Sequence, residues 1–110
     1  MKLQFTKLVC NVANEWVGDE PYIVVAGKGE IWKGSDVDKG ETVDLTSLKP
    51  VEFTNKIDVW LWEADSPPGD PNDNLGWDDA LASDKNLPLE TTFMKFTQGG
   101  ADYTLYYDVL

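Results

Sequence analysis

The chain has 110 residues and sets twenty Asp and Glu against nine Lys, with no Arg and no His, for a formal net charge of −11. That length holds one domain, residues 1–110, with a modest core. The charge excludes a nucleic-acid partner, because phosphate neutralisation needs a clustered basic surface, and the missing Arg and His remove the usual phosphate clamp, general base and zinc ligand.

In chain order, apolar residues recur at every second position in short runs, and no long run repeats at helical spacing. Leu3, Phe5, Leu8 and Val9 mark a first strand and Tyr22 to Ala26 a second. Residues 30–33, 42–45 and 57–63 read as the third, fourth and fifth. Residues 75–81, 91–96 and 103–109 complete an eight-stranded set. In the fifth, Ile57, Val59 and Leu61 share one face while Trp60 and Trp62 share the other. A strand apolar on both faces belongs in the middle of a sheet, and both Trp side chains are expected in the core. Turn formers separate the runs at Gly27-Lys28-Gly29, Lys39-Gly40, Pro67-Pro68-Gly69 and Gly99-Gly100, which is the spacing of an all-β antiparallel sandwich.

Cys10 is alone, so no internal disulfide is expected. Lys2, Gln4, Thr6 and Lys7 interrupt the segment ahead of it, so neither an export signal nor a lipid anchor is expected, and a cytoplasmic location is the default. No window approaches the roughly eighteen apolar residues of a transmembrane segment.

The acids are unevenly placed. In an antiparallel sandwich, the connections after strands one, three and five emerge at the same end. Here the first carries Glu15, Asp19 and Glu20, the second Asp36 and Asp38, and the third Glu63, Asp65, Asp70 and Asp73, against only Lys33 and Lys39. The opposite loops hold Lys28, Lys49, Lys56 and Lys85 with few acids. Crowded carboxylates repel, and a cation between them relieves the cost. Glu63 and Asp65 share parity on an extended strand, so their oxygens leave one side about 7 Å apart. Oxygen donors on irregular loops, without Cys or His, select Ca²⁺. Asp70-Pro71-Asn72-Asp73-Asn74 opens like an EF-hand loop, but Leu75 and Leu81 stand where that loop needs Gly and Glu.

Three segments carry a resemblance. Asp19-Glu20-Pro21-Tyr22-Ile23-Val24-Val25 is followed by Ile57-Asp58-Val59-Trp60-Leu61-Trp62-Glu63-Ala64-Asp65 and then by Asp73-Asn74-Leu75-Gly76. Together they resemble the C2 domain family of calcium-dependent phospholipid-binding β-sandwiches. The resemblance implies calcium ligands at Glu20, Glu63, Asp65 and Asp73, with Asn14, Glu15 and Asp19 as further first-loop candidates and Asp70 as another from the third. It also implies the permuted variant of the fold, whose edge strand comes last. The family usually has Asp where Glu20 and Glu63 stand, and its lysine-rich strand is not evident here. Trp16 and Val17, in the first acidic loop, are the candidates for contact with a membrane interface.

The expected function is that of a calcium-binding module whose bound Ca²⁺ mediates contact with an anionic phospholipid or a protein partner. The alternative is a metal-independent structural or interaction sandwich whose acidity steers a basic partner. No enzyme is expected: Glu63 with Asp65, or Asp78 with Asp79, could pair as acid and base, but so small a sandwich leaves little room for a substrate cleft.

Overall fold

The two-residue alternation read along the chain becomes two antiparallel sheets packed face to face. The structure, a computed structural model, describes residues 1–16, 18–64 and 72–110. Its strands are β1 (Lys2–Val12), β2 (Pro21–Val25), β3 (Gly29–Lys33), β4 (Thr42–Asp44), β5 (Val51–Glu52), β6 (Lys56–Glu63), β7 (Asp73–Leu81), β8 (Phe93–Phe96) and β9 (Asp102–Val109). One sheet has the order β4-β1-β9-β8, with β5 also paired to β1, and the other has the order β3-β2-β6-β7. A 3-10 turn at Ala82–Asn86 links β7 toward β8.

The inward faces pair residue for residue. Leu3, Phe5, Leu8 and Cys10 of β1 lie opposite Val109, Tyr107, Leu105 and Tyr103 of β9, and all eight are buried. A register shift between Phe5 and Lys7 turns the odd-numbered inward residues into even-numbered ones. That β-bulge explains why the apolar spacing stretches from two to three between Phe5 and Leu8. The second sheet contributes Ile23 opposite Leu61, Val25 opposite Val59, and Ile57 opposite Ala80, again all buried.

Three expectations change. The structure has nine strands among the described residues rather than eight. The addition is β5, which pairs only Val51 with Leu3 and Glu52 with Lys2, too short a ladder for alternation to reveal. The last strand is not an edge strand: β9 lies between β1 and β8, and its Tyr103, Thr104, Leu105, Tyr107 and Val109 are buried. Trp60 and Trp62 are not core residues. β6 is central as expected, but its Ile57, Val59 and Leu61 take the inward positions, which sends both Trp side chains to the outer face, where they are half-buried.

On that outer face Trp62 pairs with Tyr22, and Trp60 lies between Val24 and Trp77. Cross-strand pairs of large side chains stabilise this face. Asp58 and Asp79 oppose each other directly on the same sheet, and Lys56 bridges them at 3.4 and 3.6 Å while lying 5.5 Å from the centre of the Trp77 ring.

Burial pushes the Cys10 thiol pKa up, and the charges of Asp19, Asp38 and Glu41 add to the rise against a lowering hydrogen bond from Tyr103. Thiolate is the reactive form, so native Cys10 should resist iodoacetamide and be labelled fully in denaturant. A mass shift in the native protein at the rate of a free thiol would contradict this packing.

Candidate functional site

Strand direction brings the acidic connections together. Residues 13–20, 34–41, the described ends of 64–72, and 97–101 all leave the sandwich at one end. Hydrogen bonds tie them: Asp19 and Val37 exchange a pair of backbone bonds at 2.8 and 2.9 Å, and the Ala64 N–H donates to the Glu20 carbonyl at 3.0 Å. The Asn14 side-chain amide donates to the Gly99 carbonyl at 2.6 Å, and the Gln98 N–H to the Leu75 carbonyl at 2.9 Å.

Asp19 is fully buried at the centre of this junction. Its carboxylate accepts the backbone N–H groups of Asn14 and Glu15, each at 2.7 Å, and the hydroxyl of Tyr103. A carboxylate has about four lone-pair positions, so three protein donors leave it little capacity for a metal. As placed, Asp19 shapes the first loop. Burial raises the Tyr103 hydroxyl pKa far above the ordinary tyrosine range, and the hydrogen bonds to Asp19 and Cys10 raise it further. Tyr103 thus donates its proton to Asp19 throughout the neutral range.

Glu63 is also fully buried, because it continues the inward parity of Ile57, Val59 and Leu61. It accepts the Glu20 N–H at 3.0 Å and sits between Pro21 on one neighbouring strand and Asp73 on the other. Glu20 and Asp73 are exposed, while Asn14 and Glu15 are half-buried. Glu63 and Asp73 therefore pair at the root of the third connection, and Glu20, at the end of the first, donates its N–H to Glu63. Trp16 stands at the loop tip, 99% exposed, rather than folded back over the sandwich. Val17, Asp65 and Asp70 lie outside the described residues.

A second group of acids forms where the first two loops meet. A β-carbon at Gly18, which has φ +93°, would collide with the carboxylates of Asp36 and Asp38, so glycine is what lets those side chains approach the first loop. The Asp38 carboxyl pKa is raised by desolvation first, then by the charges of Asp36, Glu41 and Asp19. The sequence placed Asp36 and Asp38 in the second acidic loop, but not Glu41 or Tyr103 at the junction. Tyr103 shares parity with Leu105, Tyr107 and Val109 and reads as an ordinary core position, and no local pattern links it to a residue 84 positions earlier.

The donor set at this pole is hard oxygen throughout, the chemistry suited to Ca²⁺. Its present arrangement is open: among the described residues no three acidic, His or Cys side chains are grouped to hold one metal ion. Of the described candidates, Glu20 and Asp73 are exposed, Glu63 is buried next to Asp73, and the Asp19 carboxylate is engaged by three protein donors. No helix among the described residues is long and apolar enough to cross a membrane. Neither a family model nor a curated protein sequence matches the chain.

Proposed function

We propose that this domain is a calcium-responsive binding module of the C2 type, with Ca²⁺ gathered by Glu20, Glu63 and Asp73 together with Asp65 of the same loop. The observation that carries the reading is the meeting, at one end of the sandwich, of acidic connections that are far apart in sequence. Where the first two loops meet, the Asp38 carboxyl pKa is raised first by desolvation and then by the charges of Asp36, Glu41 and Asp19. Further support comes from the β3-β2-β6-β7 sheet, in which Glu63 pairs with Asp73 and its carboxylate accepts the Glu20 N–H. Bound Ca²⁺ would supply the positive charge that offsets the repulsion among these carboxylates and reverses the local potential toward an anionic surface. The chain's own part would be to fix the first loop through Asp19, while the exposed Glu20 and Asp73 and the buried Glu63 would hold the ion. Trp16 at the tip supplies an amphipathic ring to an interface.

Thermal unfolding in CaCl₂ and in chelator tests the reading directly. A cation that binds only the folded form adds about 2.7 kcal/mol at one hundred times its dissociation constant. The melting temperature should rise with Ca²⁺ in the parent protein and rise far less in a Glu20→Gln, Asp73→Asn double variant. Superimposable curves with and without Ca²⁺ would remove the proposal.

A second reading, a metal-independent interaction sandwich, is favoured by the partly exposed row of Tyr22, Trp60, Trp62 and Trp77 on the outer face of the β3-β2-β6-β7 sheet. Superimposable melting curves would favour that reading.

A further inference from the structure

The pole opposite the acidic loops holds a cavity of about 390 Å³ lined by Lys28, Ile31, Leu48, Lys49, Pro50 and Val51. Its walls come from both sheets. Lys28 lies in the β2–β3 turn, where its N–H donates to the Val25 carbonyl at 3.0 Å, and Ile31 comes from β3. The other wall is the segment that leads into β5. It is fixed to β1 by the Gln4 side chain, which donates to the Leu48 carbonyl at 3.0 Å, and by the pairing of Val51 with Leu3. The site is thus preformed and not dependent on a mobile flap.

Strand geometry sorts the charges around it. A register shift between Ile23 and Val24 leaves Ile31 as the extra residue of a β-bulge, so Ile31 and Trp32 both pack against the core while Glu30 pairs with Val24 on the outer face. On β5, alternation sends Glu52 away from the side that Val51 takes. The lining therefore has an apolar floor of Ile31, Leu48, Pro50 and Val51, two exposed ammonium groups and no carboxylate, in a chain whose acids outnumber its lysines twenty to nine. An apolar cavity in the lower part of the usual ligand-pocket range, with a few convergent polar groups, is the form of a small-molecule site.

We propose that this cavity binds a small organic anion, a carboxylate carrying a short hydrocarbon chain, with the chain on Ile31, Leu48 and Val51 and the carboxylate between Lys28 and Lys49. Charge complementarity selects the head group, since a cationic amphiphile would meet two ammonium groups. The cavity's size selects the tail, since a carboxylate without one gains nothing from the apolar floor. This site is separate from the calcium pole and its occupation does not require a metal.

Calorimetric titration of the full chain in chelator tests the assignment, with octanoate, acetate and octyltrimethylammonium as probes. Octanoate should bind saturably at one site, while acetate and octyltrimethylammonium should not. A Lys28→Glu, Lys49→Glu double variant should weaken octanoate about tenfold, the loss expected from reversing two solvent-exposed charges. Both lysines are exposed, so this variant should keep the parent near-UV circular dichroism spectrum. A Leu48→Trp variant, which fills the floor, should abolish saturation. The assignment is overturned by absence of saturable octanoate binding, by equal binding of octyltrimethylammonium, or by undiminished affinity in the charge-reversed variant.

Discussion

Replacing Asp19 with alanine should lower the stability of the domain by about 3–5 kcal/mol, a large fraction of the total for a chain of this size. The carboxylate serves three donors at once, the N–H groups of Asn14 and Glu15 and the hydroxyl of Tyr103, and the last lies on a fully buried side chain. Charge-assisted hydrogen bonds contribute more than neutral ones, and orphaned buried donors cost their full desolvation. Tyr103→Phe removes only one of the three bonds and should cost about half as much. A double-mutant cycle should give a coupling of roughly 1–3 kcal/mol, because the two residues share the same bond. Urea unfolding of the two single variants and the double variant measures all three values. Additive losses would mean that Tyr103 and Asp19 do not act on each other.

Alkaline pH provides an independent readout of the same pair. The folded-state pKa of Tyr103 is raised, chiefly by burial, above its ordinary value of 10.0. That of Tyr107 is raised as well, by burial and by its 2.6 Å bond to Asp84. Above pH 10.0 the unfolded chain releases these protons while the folded chain retains them. The unfolded state then binds fewer protons, so stability falls as pH rises. The contribution is fully present below pH 10.0 and is lost progressively above it, and Tyr103→Phe should make the decline shallower. Denaturant midpoints measured between pH 8 and 11 check the slope.

The parts of the fold legible in the sequence were those governed by alternation. Leu3, Phe5, Leu8, Ile57, Val59, Leu61, Leu105 and Val109 declare their inward faces because a one-residue slip would expose the whole set. Residue type, not alternation, misassigned Trp60 and Trp62. Their residue type suits a core, but parity with Ile57, Val59 and Leu61 leaves them the outer face, and nothing in the sequence says whether a second layer covers it. The interior position of β9 depends on a long-range choice of neighbours, β1 on one side and β8 on the other, which local pattern does not encode. At the acidic pole the sequence located the loops by counting strand reversals. It could not separate the carboxylate consumed inside the fold, Asp19, from those left facing water, Glu20 and Asp73. That distinction was set by the Asn14 and Glu15 N–H groups of the first loop together with the Tyr103 hydroxyl that the distant strand β9 brings to the same point.

Gly76→Ala should destabilise the domain by about 2–5 kcal/mol through two effects at one atom. Gly76 has φ +137°, a conformation that an L side chain rarely adopts, and it is buried opposite Leu61 beside the β-bulge at Leu75. A β-carbon there would lie 3.2 Å from the Phe96 Cα and 3.4 Å from its Cβ. The first neighbour is backbone, which cannot swing aside as the end of a long side chain would. Relief would require β7 and β8 to separate. These are the edge strands of the two sheets, held together here by the Gln98 N–H bond to the Leu75 carbonyl at 2.9 Å and the Lys95 N–H bond to the Asp78 carboxylate at 3.0 Å. The damage should therefore be local as well as global: amides of Lys95 and Gln98 should exchange faster in Gly76→Ala by more than the change in global stability accounts for. Gly100→Ala is the matched control. Its φ of +77° carries backbone strain, but no heavy atom lies within 4 Å of the added carbon. It should cost only about 1–2 kcal/mol and leave the β7–β8 amides unchanged relative to the global loss. Equal losses at the two positions would show that backbone strain alone makes glycine necessary at Gly76 and that the approach of the two sheets imposes no further demand.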